Sequence, residues 1–385
     1  MLMSLSLASC AVKDEKKVVQ LLSSPAAERS AEPFLFTDNI GSVFLSWIEK
    51  RDTISFLKYA RLEGDIWSQP VSIDSGTNWF VNWADYPVMT GNGKHFIANI
   101  LQKSNAETYA YDVKLLSSFD GLIWNRAGLL HHDSVQAEHG FVSLVPFQEG
   151  VFTTWLDGRN TGGGGNDHEG HQGAMSLRAA ILDYDGKKLD EWELDIRVCD
   201  CCQTTAAITT NGPVVIYRDR SEEEVRDMSI VRLVNGTWTE PKPIYSDQWK
   251  INGCPVNGPR CEAINNTLAV AWFSSANDQP EVKVIFSNDG GATFGEPIRI
   301  DEGNTMGRVD LVLLDEQRAL VSWMEGSDIK VVMVASDGKK QMPMTVARSS
   351  ESRSSGFPQL TKRGEDIIMA WTDDSLRTIK TAVLK

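Results

Sequence analysis

The stretch VFLSWIEK, residues 43–50, recurs with variations along the chain, and this recurrence decides the fold. Each copy is an apolar run that ends in an aromatic residue and is followed by polar or charged residues. A further run, HFIANILQ around Ile100, fills the gap between the first two copies. The spacing is about 50 residues, a period typical of architectures built from repeated structural units. The aromatic markers are Trp47, Trp155, Tyr217, Trp272, Trp323 and Trp371.

Each repeat has the pattern of four short strands, and helical periodicity is nearly absent. An inner apolar strand precedes the marker strand, and two alternating strands follow it. The last of them often contains Pro, as in WSQPVSI (67–73), which suits an outer edge. A ring of such sheets buries both faces of each sheet against its neighbours. The sequence therefore predicts an all-β fold, a β-propeller of seven four-stranded blades, with six as the alternative if the unit around Ile100 is irregular.

The two ends of the chain predict how the ring closes. After the last marker run, IIMAWTDD (367–374), only LRTIKTAVLK (376–385) remains, so the seventh unit is one strand short. The segment KKVVQLLSS (16–24) has the composition of a strand and could supply it. We expect this N-terminal strand to complete the seventh sheet.

Composition limits the domain count and the partners. The 385 residues contain no linker-like segment, so one domain over residues 11–385 is expected. The net charge of −14 argues against nucleic acid or an anionic membrane surface as the main partner, because either would repel the protein. We expect a monomer.

The first ten residues, MLMSLSLASC, end in a sequence that resembles the bacterial lipobox. The resemblance implies a lipoprotein signal peptide over residues 1–10 and acylation of Cys10. No Lys or Arg precedes Cys10, unlike the usual signal peptide, and a short disordered tail is the alternative. No later apolar run reaches the roughly 18 residues needed to cross a bilayer, so a lipid alone would anchor the protein in the cell envelope, in the periplasm or at the outer membrane.

The segment SNDGGATF, residues 287–294, matches the Asp-box pattern S-x-D-x-G-x-T-[WF], and SFDGLIW (118–124) is a degenerate version. The chain therefore resembles the sialidase (neuraminidase) superfamily of Asp-box, or BNR-repeat, propellers. The resemblance implies that the box stabilises the turn between the third and fourth strands and has no catalytic part. The early F-R-I-P-like motif of that family is absent, and Glu32-Pro33-Phe34 stands in its place. No sialidase catalytic residue is carried over, and whether the protein is an enzyme stays open.

Most of the unusual residues fall on one face of the predicted propeller. In a four-stranded meander, the loops between strands two and three share a face with the blade-to-blade connections. Five of the six histidines and all five cysteines beyond Cys10 are assigned to that face. The segments concerned are NWFVNWADYP (78–87), HHDSVQAEHG (131–140), GRNTGGGGNDHEGHQG (158–173), RVCDCCQ (197–203), RDRSEEEVRD (218–227) and INGCPVNGPRC (251–261).

The cysteines of this face allow three interpretations. Their number is odd, so at most two disulfides form among them. Structural disulfides are the first possibility, and a redox-active pair at Cys201 and Cys202 is another. A site for copper or zinc, with thiolate and imidazole ligands, is the third, although C-x-C-C is none of the common zinc spacings. The residues of the metal or disulfide site are Cys199, Cys201, Cys202, Cys254, Cys261, His168 and His171.

Charged and aromatic residues of the same face suit an acidic ligand. Guanidinium groups bind carboxylates or sulfates in pairs of hydrogen bonds, and aromatic rings stack on sugars. Ion pairing of the arginines with Glu222–Glu224 and Asp227, and packing of the aromatic rings under their loop, are the structural alternatives. The candidate acid/base groups are Asp157, Asp219 and Glu169. The candidate ligand-binding residues are Arg159, Arg218, Arg220, Arg226, Arg260, Trp79, Trp83 and Asp85.

Three functions are compatible with these residues. The first is an exported sialidase-like propeller that binds or hydrolyses an acidic glycan at the mouth formed by units two to five. The second is a Cys/His metal-binding or redox propeller. The third is a non-catalytic scaffold for other proteins, a common use of propellers.

Overall fold

The computed structural model describes residues 17–162 and 173–385, which form one ring of β-sheets. Cys10 and the predicted loop residues His168, Glu169 and His171 lie outside the described residues. The only helices within the described part are two single 3-10 turns, Ala276–Asp278 and Arg353–Ser355. No helix there is long and apolar enough to span a membrane.

Thirty strands form seven antiparallel sheets, which are the seven predicted blades. The strands in chain order are β1 (Val19–Leu22), β2 (Ser30–Thr37), β3 (Val43–Arg51), β4 (Ile54–Glu63), β5 (Ile66–Trp67), β6 (Val71–Gly76), β7 (Met89–Gly91), β8 (Phe96–Lys103), β9 (Tyr111–Ser118), β10 (Asn125–Leu129), β11 (His139–Phe147), β12 (Gly150–Asp157), β13 (Met175–Asp183), β14 (Lys188–Val198), β15 (Thr205–Thr209), β16 (Gly212–Arg218), β17 (Met228–Val234), β18 (Thr237–Trp238), β19 (Lys242–Pro243), β20 (Arg260–Ile264), β21 (Thr267–Ser274), β22 (Glu281–Ser287), β23 (Ile298–Arg299), β24 (Thr305–Asp315), β25 (Arg318–Glu325), β26 (Asp328–Ala335), β27 (Met344–Arg348), β28 (Gln359–Arg363), β29 (Asp366–Asp373) and β30 (Thr378–Leu384).

Blades one to six are meanders that run outward from the ring axis in chain order. They begin at β2, β7, β11, β15, β20 and β24. In blades one and four the outer position is divided between two short strands, β5 with β6 and β18 with β19. The unit around Ile100 is a regular blade, so the count of seven is confirmed and the six-bladed alternative is wrong.

The marker strands are the second strands of their blades, and their aromatic side chains are among the most buried in the protein. Trp47, Trp155, Trp272 and Trp323 are fully buried. Both faces of such a strand pack against neighbouring blades, which explains why these strands read as nearly continuous apolar runs. The markers fill the wedge between sheets and so set the spacing of the ring.

The N-terminal strand closes the ring as predicted. Strand β1 pairs antiparallel with β30, with Val19 opposite Leu384 and Leu22 opposite Thr381. The seventh blade therefore has the order β1-β30-β29-β28 and contains both ends of the described chain. The backbone of Val18 and Lys385 adds two hydrogen bonds, of 3.0 and 3.1 Å.

The turn at residues 287–294 lies between β22 and β23, the third and fourth strands of blade five. Asp289 accepts hydrogen bonds from the Thr293 backbone N–H at 2.8 Å and from its hydroxyl at 2.6 Å. Gly290 and Gly291 both have positive φ angles, of 69° and 80°, which Gly adopts at little cost. The segment thus has a structural role. It lies on the face opposite to the blade-to-blade connections.

We predict that ring closure depends on the apolar side of β1. Leu22 is buried between the seventh and first blades, whereas its neighbour Leu21 is 69% exposed. Replacement of Leu22 by Ala should lower the free energy of unfolding by about 2 kcal/mol, because it removes buried methyl groups and leaves a cavity. Leu21→Ala is the matched control and should change it by less than about 0.5 kcal/mol. Equal effects of the two variants in urea unfolding would show that β1 adds no packing to the ring.

Candidate functional site

The blade-to-blade connections and the loops between second and third strands form one face of the ring, here called the connection face. It carries the described parts of all six segments singled out in the sequence. The assignment of loops to faces from the strand pattern is thereby confirmed for the described residues. The site is built from what these segments bring together.

The connection from blade one to blade two, residues 77–88, reaches across the ring to residues of blades five and seven. The Tyr86 hydroxyl accepts hydrogen bonds from Arg260 of blade five and, at 3.3 Å, from Gln359 of blade seven. The Gln203 side-chain amide donates to the Ala84 carbonyl at 2.6 Å. The cavity enclosed beside these residues is about 30 Å³. Such a volume holds one or two water molecules and is far below that of a ligand pocket.

The aromatic residues of this connection are packed against the protein. Trp83 stacks on Phe357 with a centroid distance of 5.6 Å, and the guanidinium of Arg308 lies 5.1 Å from the Trp83 ring. Trp79 packs on the core between the first two blades. Both indoles are half-buried. The structure therefore favours the packing alternative for most of their surface, and ligand binding by Trp79 and Trp83 stays a prediction.

The predicted ligand arginines are engaged by partners within the protein. Arg218 is buried and donates to the carbonyl oxygens of residues 226, 257 and 273. Glu224 accepts from both Arg220 at 2.8 Å and Arg226 at 2.7 Å, which is the ion-pair alternative. Arg260 lies 3.7 Å from Asp310 and donates to Tyr86. A clamp for an acidic ligand would have to compete with these contacts.

The predicted acid/base groups differ in their electrostatics. Asp157 is fully buried; burial alone would raise its pKa, but hydrogen bonds from Arg159 and the nearby His139 ring hold that pKa well below the usual range. Such a carboxylate is a poor proton donor. Burial and the charge of Asp195 raise the pKa of Asp219 to about 6, a suitable value for a general acid near neutral pH. Asp219 also accepts from the Ser229 hydroxyl at 3.1 Å.

Three of the predicted cysteines meet in the connection between blades three and four. The sulfur of Cys199 lies 3.9 Å from that of Cys201 and 3.7 Å from that of Cys202, and all three side chains are buried. Cys254, from the next connection, is exposed and interacts with Cys201, which lowers the pKa of the Cys254 thiol. We call these four residues the thiol cluster. Each of the five described cysteines beyond Cys10 is a free thiol, so the predicted disulfides are not present in the structure.

Two arginines supply positive charge beside the thiol cluster. Arg226 donates to the Cys199 sulfur at 3.3 Å, and the charge of Arg218 acts on Cys202. Burial raises the pKa of Cys199 to about 11 and would raise that of Cys202 as well. Hydrogen bonds from the neighbouring thiols and the charge of Arg218 instead hold the pKa of Cys202 below its usual range. A negative charge on the cluster is therefore compensated locally.

Cys261 does not belong to the thiol cluster. It lies in the inner strand of blade five, where its sulfur is 3.5 Å from the Thr205 hydroxyl. Burial raises the pKa of the Cys261 thiol to about 12. Five cysteines leave at least one outside any pairing, and in the structure the cysteine that lies apart from the others is Cys261.

Sequence reasoning missed a buried group of two carboxyls and a phenol. The Tyr111 hydroxyl lies 2.9 Å from Asp85 and 2.7 Å from Glu138, and all three residues are buried. Asp85 also accepts from the Phe141 backbone N–H at 2.7 Å. Burial raises the pKa of Asp85 to about 7 and that of Glu138 well above its usual range. Asp85 was predicted as a ligand residue, but its partners are all within the protein.

No family model matches the chain, and no curated protein matches it in sequence. Solved structures resemble it in fold. A lectin (BP39L) from Burkholderia pseudomallei aligns with a TM-score of 0.65 at 11% identity, over 93% of this chain and 96% of the lectin. An α-L-arabinanase from Penicillium chrysogenum aligns with a TM-score of 0.51 at 9% identity, over 95% of this chain and 97% of that enzyme. At these identities the likeness establishes the propeller fold alone, and the resemblance to sialidases rests on the Asp-box residues.

We predict that Asp85 makes stability depend on pH. Its pKa is about 7 in the fold and about 3.9 in an unfolded chain, so the fold favours the neutral carboxyl. The resulting stabilisation is complete below about pH 4 and is lost as pH rises through 7. Asp85→Asn does not titrate, so the free energy of unfolding of the wild type should fall relative to this variant by about 1–3 kcal/mol from pH 4 to 8. Parallel denaturation curves across this range, in the presence of chelator, would contradict the prediction.

Proposed function

We propose that this protein binds a soft transition-metal ion, copper(I) or zinc, through the thiol cluster on the connection face. The observation that carries the proposal is the convergence of three buried sulfurs, Cys199, Cys201 and Cys202, with the exposed Cys254 beside them. Thiolates select these two ions over the harder cations of biological fluids. We infer that the protein does so at the cell envelope, on the strength of the lipobox-like residues before Cys10.

The sulfur positions suit a metal better than a disulfide. A metal–sulfur bond of about 2.3 Å places neighbouring thiolates roughly 3.8 Å apart in a tetrahedron and roughly 4.0 Å apart in a trigonal plane. The separations of 3.7 and 3.9 Å from Cys199 agree with these values. A disulfide needs sulfurs about 2.05 Å apart, much closer than these separations.

The surroundings of the cluster also suit bound thiolates. A monovalent or divalent ion with three or four thiolates has a net negative charge. Arg226 lies in hydrogen-bond contact with the Cys199 sulfur and is held by Glu224. Groups that donate to ligand sulfurs and are themselves fixed by a partner typically orient and strengthen a metal site. Cys254 is exposed, so the ion can be received from or passed to solution or another protein.

The first test is metal analysis of protein purified without chelator or reductant, together with a thiol count. We expect about one equivalent of copper or zinc, with metal–sulfur distances of about 2.3 Å by X-ray absorption. Cys202→Ser should lose at least tenfold in metal affinity, because it removes a buried ligand. Cys261→Ser is the matched control and should keep the metal, since that thiol lies outside the cluster.

Two results would overturn the metal proposal. One is metal-free protein in which the four cluster thiols form two disulfides. The other is an equal loss of metal from Cys202→Ser and Cys261→Ser. Either would leave redox chemistry or structural disulfides as the interpretation of these cysteines.

A second candidate function is the binding of an acidic glycan, with or without hydrolysis. It is favoured by the fold likeness to the lectin, which extends over nearly the whole of both chains. The glycan would bind on the connection face, near Arg159 and Arg220, which are both half-buried. Asp219 would be the general acid if the glycan is cleaved, because of its raised pKa.

We expect, on this second proposal, that a panel of uronate, sulfated and sialylated glycans contains at least one ligand. Arg159→Gln or Arg220→Gln should weaken binding at least tenfold, because each removes a paired hydrogen-bond donor. Arg348→Gln, an exposed arginine on the outer strand β27, is the control. The glycan proposal fails if the wild-type protein binds none of the panel in calorimetry.

A further inference from the structure

A second group of metal-ligand side chains lies outside the thiol cluster, between blades two and three. It comprises His131 and Asp133 of the connection between these blades, His139 at the start of β11 and Asp157 at the end of β12. We propose that these residues bind one divalent cation of borderline or hard character, such as zinc or manganese, at a site that is separate from the thiol cluster.

His139 provides the first argument. Its ring is fully buried, and Nδ1 lies 3.3 Å from the Tyr111 carbonyl oxygen and 3.2 Å from that of Ala137. Carbonyl oxygens only accept hydrogen bonds, so Nδ1 carries a proton and the neutral ring has its lone pair on Nε2. Nε2 has no hydrogen-bond partner among the described residues. This orientation, with Nδ1 fixed by a carbonyl and Nε2 left available, is the usual one for a metal-ligating histidine.

The carboxylates facing Nε2 provide the second argument. Asp133 Oδ2 lies 3.2 Å and Asp157 Oδ1 3.5 Å from His139 Nε2. Ligands at about 2.1 Å from one ion are roughly 3.0 Å apart in an octahedron and roughly 3.4 Å apart in a tetrahedron. Both separations from Nε2 match those of ligands around one ion, and the three ligand atoms lie within 4.8 Å of one another. A lone pair facing two carboxylates is unfavourable unless a positive species lies between them.

His131 adds a second ring to the site. It stacks on His139 with parallel planes and centroids 3.6 Å apart, and its Nδ1 lies 3.0 Å from the same Asp133 oxygen. Its Nε2 lies 3.6 Å from Asp112 Oδ1 and, like that of His139, has no hydrogen-bond partner in the described part of the chain. Two stacked imidazolium rings would repel each other, so protons on both rings cannot balance the carboxylates.

Carboxylates outnumber the basic side chains beside them. Asp112, Asp133 and Asp157 contribute three negative charges, against positive charges from Arg159, which lies 2.7 Å from Asp157 and 3.4 Å from Asp133, and from Lys114, which lies 3.9 Å from Asp112. Buried carboxylates without compensation are costly. A cation held between His139 Nε2 and the carboxylates of Asp133 and Asp157 would neutralise the remaining negative charge.

The ligand chemistry separates this site from the thiol cluster. Imidazole nitrogen with carboxylate oxygen suits zinc, manganese and iron(II), whereas copper(I) prefers the sulfurs. Manganese(II) binds poorly to thiolates, which makes it a selective probe of the nitrogen and oxygen ligands. An ion here would hold the connection between blades two and three against blade three.

The test is titration of the chelator-treated wild-type protein with MnCl₂ at pH 7.5, followed by the loss of the free manganese signal in electron paramagnetic resonance. We expect one manganese per chain. His139→Gln should weaken binding at least tenfold, because it removes the ligand nitrogen. His132→Gln, the exposed histidine next to the site, is the matched control and should bind as the wild type does.

Circular dichroism checks that His139→Gln is folded; if it is not, Asp133→Asn takes its place, because that side chain loses charge without losing volume. The proposal is overturned if the wild type takes up no manganese, or if the His139 or Asp133 variant binds manganese as tightly as the His132 control. Manganese does not report on the thiol cluster. A failed manganese titration therefore leaves the copper or zinc proposal for the thiol cluster intact, and a thiol cluster without metal leaves the proposal for the histidine and carboxylate site intact.

Discussion

Burial of both faces of every sheet is the constraint on which the rest of this protein depends. A sheet with two apolar faces is stable only between two others, so the array must close into a ring. The chain meets this requirement with β1, which pairs with β30 and gives the last blade its outer strand. The fully buried marker residues, such as Trp47 and Trp323, fill the space between blades. Because β1 and β30 lie in one sheet of the closed ring, the pairing of the two chain ends contributes to the stability of the whole core.

The ring also decides where polar groups can go. Inner strands expose backbone N–H groups toward neighbouring blades, and side chains satisfy them: Asp85 accepts from Phe141, and Asp310 accepts from Leu360 at 2.6 Å. Buried donors and acceptors are costly when unpaired, so each such contact fixes the register of one blade on the next. The carboxylates and arginines of the connection face are engaged in the same way. Much of the charge that looks functional in the sequence is therefore structural.

The sequence predicted the fold because its signals are local and repeated. The marker strands, the turn at Asp289 and the missing last strand each follow from spacing within about 50 residues. The contacts inside the site could not be predicted, because they join segments that are distant in sequence. The Tyr86 hydroxyl accepts a hydrogen bond from Arg260, and the Cys254 thiol interacts with that of Cys201. Cys261 was grouped with the other cysteines but lies apart from them in an inner strand. The sequence placed His131 and His139 on the connection face but did not identify them as ligands, since their spacing of eight residues matches no common metal motif.

The two groups of potential ligands differ in a manner that bears on selectivity. In the thiol cluster, sulfurs are compensated by arginines, which favours an ion of low charge, because Arg226 already neutralises part of the thiolate charge. Between blades two and three the three carboxylates outnumber the basic side chains of Arg159 and Lys114, which leaves negative charge for a cation to neutralise. At each site, the softness of the ligand atoms and the charge of the surrounding residues therefore favour the same kind of metal ion. The connection face can therefore hold two different metal ions, because neither group of ligands competes for the ion that the other binds.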